Sequence, residues 1–220
     1  MDGIAESLYR KLVEGIQFLK EENDNLFLKL KRSKCQILRL LIKIVEEIDP
    51  STKGHSIKVY RYVIKIGKKL GLDKKDIMNI ARAALLHDIG KIAIDRRILN
   101  KKGKLTDREF DIIKKHPVIG AKIVSEVDDL APVSTYILHH HVRYGGGGYP
   151  DGSFREAEIP IGARIIAIAD SYDAMTSTRP YRKAFSAEDA IQELRRCSGT
   201  MYDPNIVSVF IEIIQYNHNS

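Results

Sequence analysis

Six of the seven histidines fall between His55 and His141, and the most informative of them close apolar runs beside carboxylates. In Ala83-Ala84-Leu85-Leu86-His87-Asp88-Ile89-Gly90-Lys91 an imidazole and a carboxylate end an apolar stretch together. Burying two ionisable groups there is costly unless something in the core satisfies them, and metal ions do so. Histidine suits Mn, Fe and Zn, and a carboxylate can bridge two ions. The second cluster is His139-His140-His141. On a helix starting near Pro132, Tyr136 lies one turn before His140 and Ile137 one turn before His141, so these two histidines face inward. His139 stacks over Thr135 on a more polar side and is expected to be solvated or to support the ligands from behind. Asp170 closes the run Ile165-Ile166-Ala167-Ile168-Ala169 and faces the core by the same count. Taken singly, Asp170 and His116 read better as a satisfied core residue or a cap than as ligands. Together, His55, His87, Asp88, His116, His140, His141 and Asp170 come from separate helices, which is how helical bundles assemble multinuclear metal sites.

Cations accompany this set. Lys91, three residues after Asp88, can reach a phosphoryl oxygen held at such ions. Arg179-Pro180-Tyr181-Arg182 offers two guanidinium groups around a rigid turn, suited to bidentate phosphate contact or guanine recognition. By itself the tetrapeptide also reads as an ordinary surface turn.

The elements that must carry these groups are helical. Leu12, Ile16, Leu19, Asn23, Leu26, Leu30, Ser33, Ile37, Leu40 and Ile44 recur at alternating steps of four and three. That heptad seam predicts a long coiled-coil helix over residues 1–48, with Asn23 setting register and a second copy of the chain as partner. A helix folded back onto the rest of the chain is the other reading. From Asp49 onward, residues 49–220 read as one helical domain. Asp49-Pro50-Ser51-Thr52 opens a helix that runs to Gly71, Asp73 caps the next, and Thr106 with Glu109 forms a capping box. Pro117, Pro132 and Pro160 sit where a first turn tolerates them, and Ser186 and Asp203-Pro204 start the last two helices. The expected architecture is all-α, with about eight or nine helices and a glycine loop at Gly145–Gly148.

Composition bounds the function. At 220 residues, 44% hydrophobic and 30% charged, the chain can bury a core, which excludes wholesale disorder. No apolar run approaches the roughly 18–20 residues a membrane span needs. There is no signal-peptide core, and two cysteines, Cys35 and Cys197, make no disulfide framework, so a reducing cytoplasm is the expected setting. The excess of 36 Lys and Arg over 29 Asp and Glu gives a net charge of +7 and favours an anionic partner. A salt-rich solvated surface would give the same balance.

His87-Asp88-Ile89-Gly90-Lys91, His140-His141, Gly148-Tyr149-Pro150, Asp170 and Arg179-Pro180-Tyr181-Arg182 occur in an order that resembles the HD-GYP family of HD metal-dependent phosphohydrolases. The resemblance runs from about Asp49 to Phe210. It implies an HD-type helical bundle with two divalent metals, iron or manganese most often and in some members a third. It also implies hydrolysis of cyclic di-GMP to pGpG or onward to GMP by a metal-bridging hydroxide. Carried over by motif, the metal ligands are His55, His87, Asp88, His116, His140, His141 and Asp170, with Asp88 bridging. Lys91, Tyr149, Arg179 and Arg182 are the substrate contacts, and Asp88 and Lys91 the catalytic groups.

Three departures matter. The family's Glu after the histidine pair is Val142 and its following Asp is Gly145, so the loop loses a carboxylate anchor and is expected to be more mobile. The acidic ligand of three-metal members falls on Ser51, which favours two metals unless Asp49 substitutes. Asp95 stands where the family has Pro. Two other readings share these residues: hydrolysis of another cyclic dinucleotide or a nucleotide phosphate ester, and a signalling module that binds a dinucleotide or a regulator protein without turnover. A DNA or RNA duplex is not an expected partner.

Overall fold

The computed structural model describes the backbone of residues 2–178 and 183–218 and the side chains of residues 6–178 and 183–216. Among these residues it is helical, without a strand beyond the isolated bridges Val142–Gly148 and Ser198–Tyr202. The helices are α1 (Asp2–Ile48), α2 (His55–Lys69), α3 (Lys74–Leu86), α4 (Arg96–Leu99), α5 (Asp107–Ile113), α6 (His116–Ser125), α7 (Ser134–His139), α8 (Ile161–Thr176), α9 (Ala187–Arg196) and α10 (Pro204–His218). No helix of the described residues is long and apolar enough to cross a membrane.

The chain divides into two compact units, Met1–Leu40 and Leu41–Ser220. In the first, α1 is continuous, and its seam residues Leu12, Ile16, Leu19, Leu26, Leu30 and Ile37 are exposed. The last two turns of α1 belong to the second unit, where Ile42, Val45 and Ile48 are buried. The second unit is built around α8. Ile165, Ile166, Ile168 and Ala169 are fully buried, and α2, α3, α7, α9 and α10 pack on this helix. A helix apolar on most sides has no solvent face to offer, so it becomes the core.

Local chemistry sets the boundaries. The Asp73 carboxylate accepts from the Asp76 amide at 2.7 Å, Thr106 and Glu109 form the reciprocal capping box, and Ser186 caps α9. The start of α2 departs from expectation. Asp49 caps only a 3-10 turn at Pro50–Thr52, and Gly54, at φ 73°, breaks the chain before the helix begins at His55. α7 is shorter than expected and ends at His139, leaving His140 and His141 in the turn beyond it.

One close approach brings two ligand-bearing segments together. The 3-10 turn Ile89–Ala93, directly after Asp88, runs against the start of α6. A Cβ at Gly90 would stand 2.0 Å from the His116 carbonyl oxygen, so only glycine permits the contact. The Gly145–Gly148 loop is held by backbone bonds rather than by a carboxylate: the Gly145 amide donates to Thr200 at 2.8 Å and Gly147 to Gly152 at 2.9 Å.

Candidate metal centre

Helix ends deliver most of the candidate ligands. His55 is the first residue of α2 and His116 the first of α6; His87 caps the C-terminus of α3 and His140 that of α7. Asp88 and His141 each follow one of these caps, and Asp170 projects from the middle of α8. The structure brings all seven together, as two triads and a third group, His87, Asp88 and His140, that joins them. His55, His87 and Asp170 form one, and His116, His140 and His141 the other; within each, the ligand atoms lie within 4.8 Å of one another. Asp88 stands between the triads. Its Oδ2 is 3.5 Å from His87 Nε2, and its Oδ1 is 3.5 Å from His116 Nε2.

A repeated device orients the imidazoles. His87 Nδ1 lies 2.8 Å from the Ala84 carbonyl, His116 Nδ1 2.8 Å from that of Ile113, and His140 Nδ1 2.6 Å from that of Ile137. In each case the acceptor is three residues back, in the turn just completed. An Nδ1–H donating to a carbonyl leaves Nε2 as the lone-pair nitrogen, facing the other ligands. Nε2 of His116 and of His140 are buried without a hydrogen-bond partner. Buried polar atoms are seldom left so, and together with the His and Asp donor set this fits divalent cations.

The two triads differ in electrostatics. Burial opposes charge on His55, but Asp170 at 3.1 Å from Nε2 and Asp173 at 2.6 Å from Nδ1 outweigh it and raise its pKa to about 10. Burial lowers His141 to about 3, with His116 and His87 adding to the effect, and holds His140 and His116 below the usual range as well. Asp88 stays ionised despite complete burial because Lys91 and the neighbouring imidazoles favour its charge.

Lys91 is more constrained than its motif suggests. Its Nζ sits 2.9 Å from Asp49 Oδ2 and 3.0 Å from Asp88 Oδ2, and these carboxylates keep it charged although it is partly buried. The Tyr149 ring lies over His141, with centroids 4.6 Å apart. His140, His141, Tyr149, Phe110, Tyr202 and Arg143 line a cavity of about 340 Å³ beside the second triad. Arg179 and Arg182 lie outside the described residues.

His139 corrects an expectation. It is buried rather than solvated, and it takes no part in either triad. Its Nδ1 is 2.8 Å from the Thr135 carbonyl and its ring packs 4.8 Å from Phe154, which the segment before α8 lays over it. Sequence reasoning missed Asp173, which orients His55. Its only signal was position: it lies one turn beyond Asp170 on the same helix.

The model of the HD domain family matches residues 39–206. The chain is 36% identical over 209 residues to a cyclic di-GMP phosphodiesterase of Thermotoga maritima, covering 94% of this chain and 56% of that protein. It is 38% identical over 178 residues to the cyclic di-GMP phosphodiesterase response regulator RpfG of Xanthomonas campestris pv. campestris, covering 80% and 47%. The chain thus spans about half the length of these curated relatives. Among solved structures, a cyclic GMP-AMP specific phosphodiesterase of V. cholerae superposes with a TM-score of 0.61 at 20% identity, covering 81% of this chain and 48% of that one, which speaks for the fold. The family model, the relatives and the cluster of histidines and aspartates agree, and the chain belongs to the HD domain family, as the HD-GYP resemblance of its motifs implies.

Proposed function

We propose that the chain is a metal-dependent phosphodiesterase that cleaves cyclic di-GMP to pGpG or GMP. One observation carries this reading: two histidine-rich triads flank a single buried carboxylate, with each Asp88 oxygen turned to a different triad. His55, His87 and Asp170 would hold one divalent ion, His116, His140 and His141 the other, and Asp88 would share its oxygens between them. Iron or manganese suits these donors. When bound, such ions supply a nucleophilic water at neutral pH and neutralise charge on the phosphoryl oxygens.

The chain's own groups account for the rest. The Asp173 carboxylate accepts a hydrogen bond from His55 Nδ1–H and so keeps Nε2 directed at the site. Lys91, placed by Asp49, carries a fixed positive charge beside Asp88, where it orients the carboxylate and attracts the substrate phosphate. Tyr149, on the wall of the aromatic cavity, stacks with a guanine base, and Arg179 and Arg182 contact the nucleotide. Asp49 is engaged by Lys91 and by the Ser51 hydroxyl, which favours two metals over three.

Neither sequence departure removes a donor. Val142 is buried with Ile159 and Ala163, and its side chain carries no group that could bind a metal. At Gly145 a Cβ would stand 3.1 Å from the Gly199 carbonyl oxygen, so an aspartate here would require the neighbouring backbone to give by a few tenths of an ångström. Both points favour turnover over a module that only binds. The exposed heptad residues of α1 support a homodimer, or pairing with a helical regulator.

The test is turnover of cyclic di-GMP by protein loaded anaerobically with Fe(II) or Mn(II), with the products separated by chromatography. The expected result is pGpG or GMP, absent from His87→Ala/Asp88→Ala. Metal-replete protein that yields neither would overturn the reading, and cyclic GMP-AMP would be tried next.

A further inference from the structure

A second cavity, of about 630 Å³, has the candidate ligand His55 and its partner Asp173 in its wall, so it borders the ligand cluster. Its lining is strongly basic: Lys53, Lys58, Lys101 and Lys102 face one carboxylate, that of Asp173. The Asp173 oxygens are already engaged, by His55 Nδ1 at 2.6 Å and by Lys58 Nζ at 3.2 Å. Lys101 is held by Glu109 at 2.6 Å. Lys53 and Lys102 have no ion-pair or hydrogen-bond partner for their ammonium groups among the described residues. The first turn of α2 also begins here. No side chain caps it and no acidic residue lies in it, so its amide end adds to the positive potential.

The contrast with the smaller cavity fixes the kind of ligand. Phe110, Tyr149 and Tyr202 line that one and suit a base, whereas the basic cavity has no aromatic ring except His55. A volume of this size is in the range of small-molecule sites. Because Lys53 and Lys102 have no neutralising partner among the described residues and the cavity lacks a stacking surface, it suits a phosphate.

We propose that this cavity is an anion subsite that receives the phosphodiester of a cyclic dinucleotide that is not being cut, with Lys53 and Lys102 as its principal cations. The inference rests on the dinucleotide substrate proposed above. It makes the site selective for ligands with two phosphodiesters, since a single diester at the metals leaves the basic cavity empty.

The test is equilibrium dialysis of Mn(II)-loaded protein against two probes that differ in phosphate number. One is the hydrolysis-resistant bis-phosphorothioate of cyclic di-GMP, and the other is 3′,5′-cyclic GMP. Lys53→Ala/Lys102→Ala is expected to weaken the first by roughly tenfold or more and the second by at most about twofold, as loss of two solvent-accessible charge contacts implies. Lys74→Ala/Lys75→Ala, an exposed pair on α3 with the same change in charge, should alter neither. Equal weakening of both probes, an unchanged constant for the first, or no binding of it by the parent protein would overturn the subsite. Turnover of cyclic di-GMP is measured separately, so a protein that binds the dinucleotide without cutting it would overturn the phosphodiesterase reading alone.

Discussion

Along α1, Leu12, Ile16, Leu19, Leu26 and Leu30 each keep more than half of their surface exposed, whereas the buried positions beyond Leu41 include His55, His87, Asp88, His116 and His140. The two units therefore depart from the usual burial pattern in opposite senses: apolar groups are in water in one, and ionisable groups are in the core of the other. Each departure identifies what is missing. An uncovered heptad seam calls for another helix, and converging imidazole lone pairs call for cations. The seam leaves partner identity open to any helix with matching knobs, while the triads restrict their ligand through donor type and spacing.

The largest effect is expected where the two triads meet. Asp88→Ala should lower kcat for cyclic di-GMP by about a thousandfold or more, since it removes several kcal/mol of ion-dependent stabilisation. Elemental analysis of the same variant should find fewer bound ions per chain. Full metal content with unaltered kcat would dissociate Asp88 from the centre. In the other unit, Leu19→Glu/Leu26→Glu should weaken self-association by roughly a hundredfold or more, given about 1.5–3 kcal/mol for each buried leucine. Sedimentation velocity reads this directly, and an unchanged dimer would show that the seam is not the interface.

Smaller effects sharpen the comparison. Asp173→Asn should reduce metal affinity by roughly 10–100-fold, the usual consequence of losing the carboxylate behind a ligating histidine. Competition with a chromophoric chelator measures it; an unchanged affinity would make Asp173 a packing residue. Chelation of all metal should lower the melting temperature by roughly 5–10 °C, from about 2.7 kcal/mol of binding linkage at a hundredfold excess over Kd. The melting of α1, followed through chain concentration, should not respond to the chelator.

How much of this was legible in the sequence follows from the range of the interactions. His87, Asp88, His140, His141 and Asp170 announced themselves because an apolar run that ends in an ionisable group is a local anomaly. Caps at Asp73, Thr106 and Ser186 were readable because donor and acceptor are three residues apart. Asp173 was not, since the histidine it orients is 118 residues away. The Asp49–Lys91 pair spans 42 residues and was equally hidden. His139 looked polar-facing by helical count, but Phe154 covers it from a later segment. The break at Gly54 depended on left-handed backbone, and this glycine between two polar residues gave no hydrophobic signal for it.

The most direct test of the central claim is to titrate Mn(II) into metal-free protein while following bound ions per chain and turnover of cyclic di-GMP together. With Asp88 shared between two triads, activity should rise only as the second ion binds and should reach its maximum at two per chain. Full activity at one ion per chain, or turnover in fully chelated protein, would contradict the account.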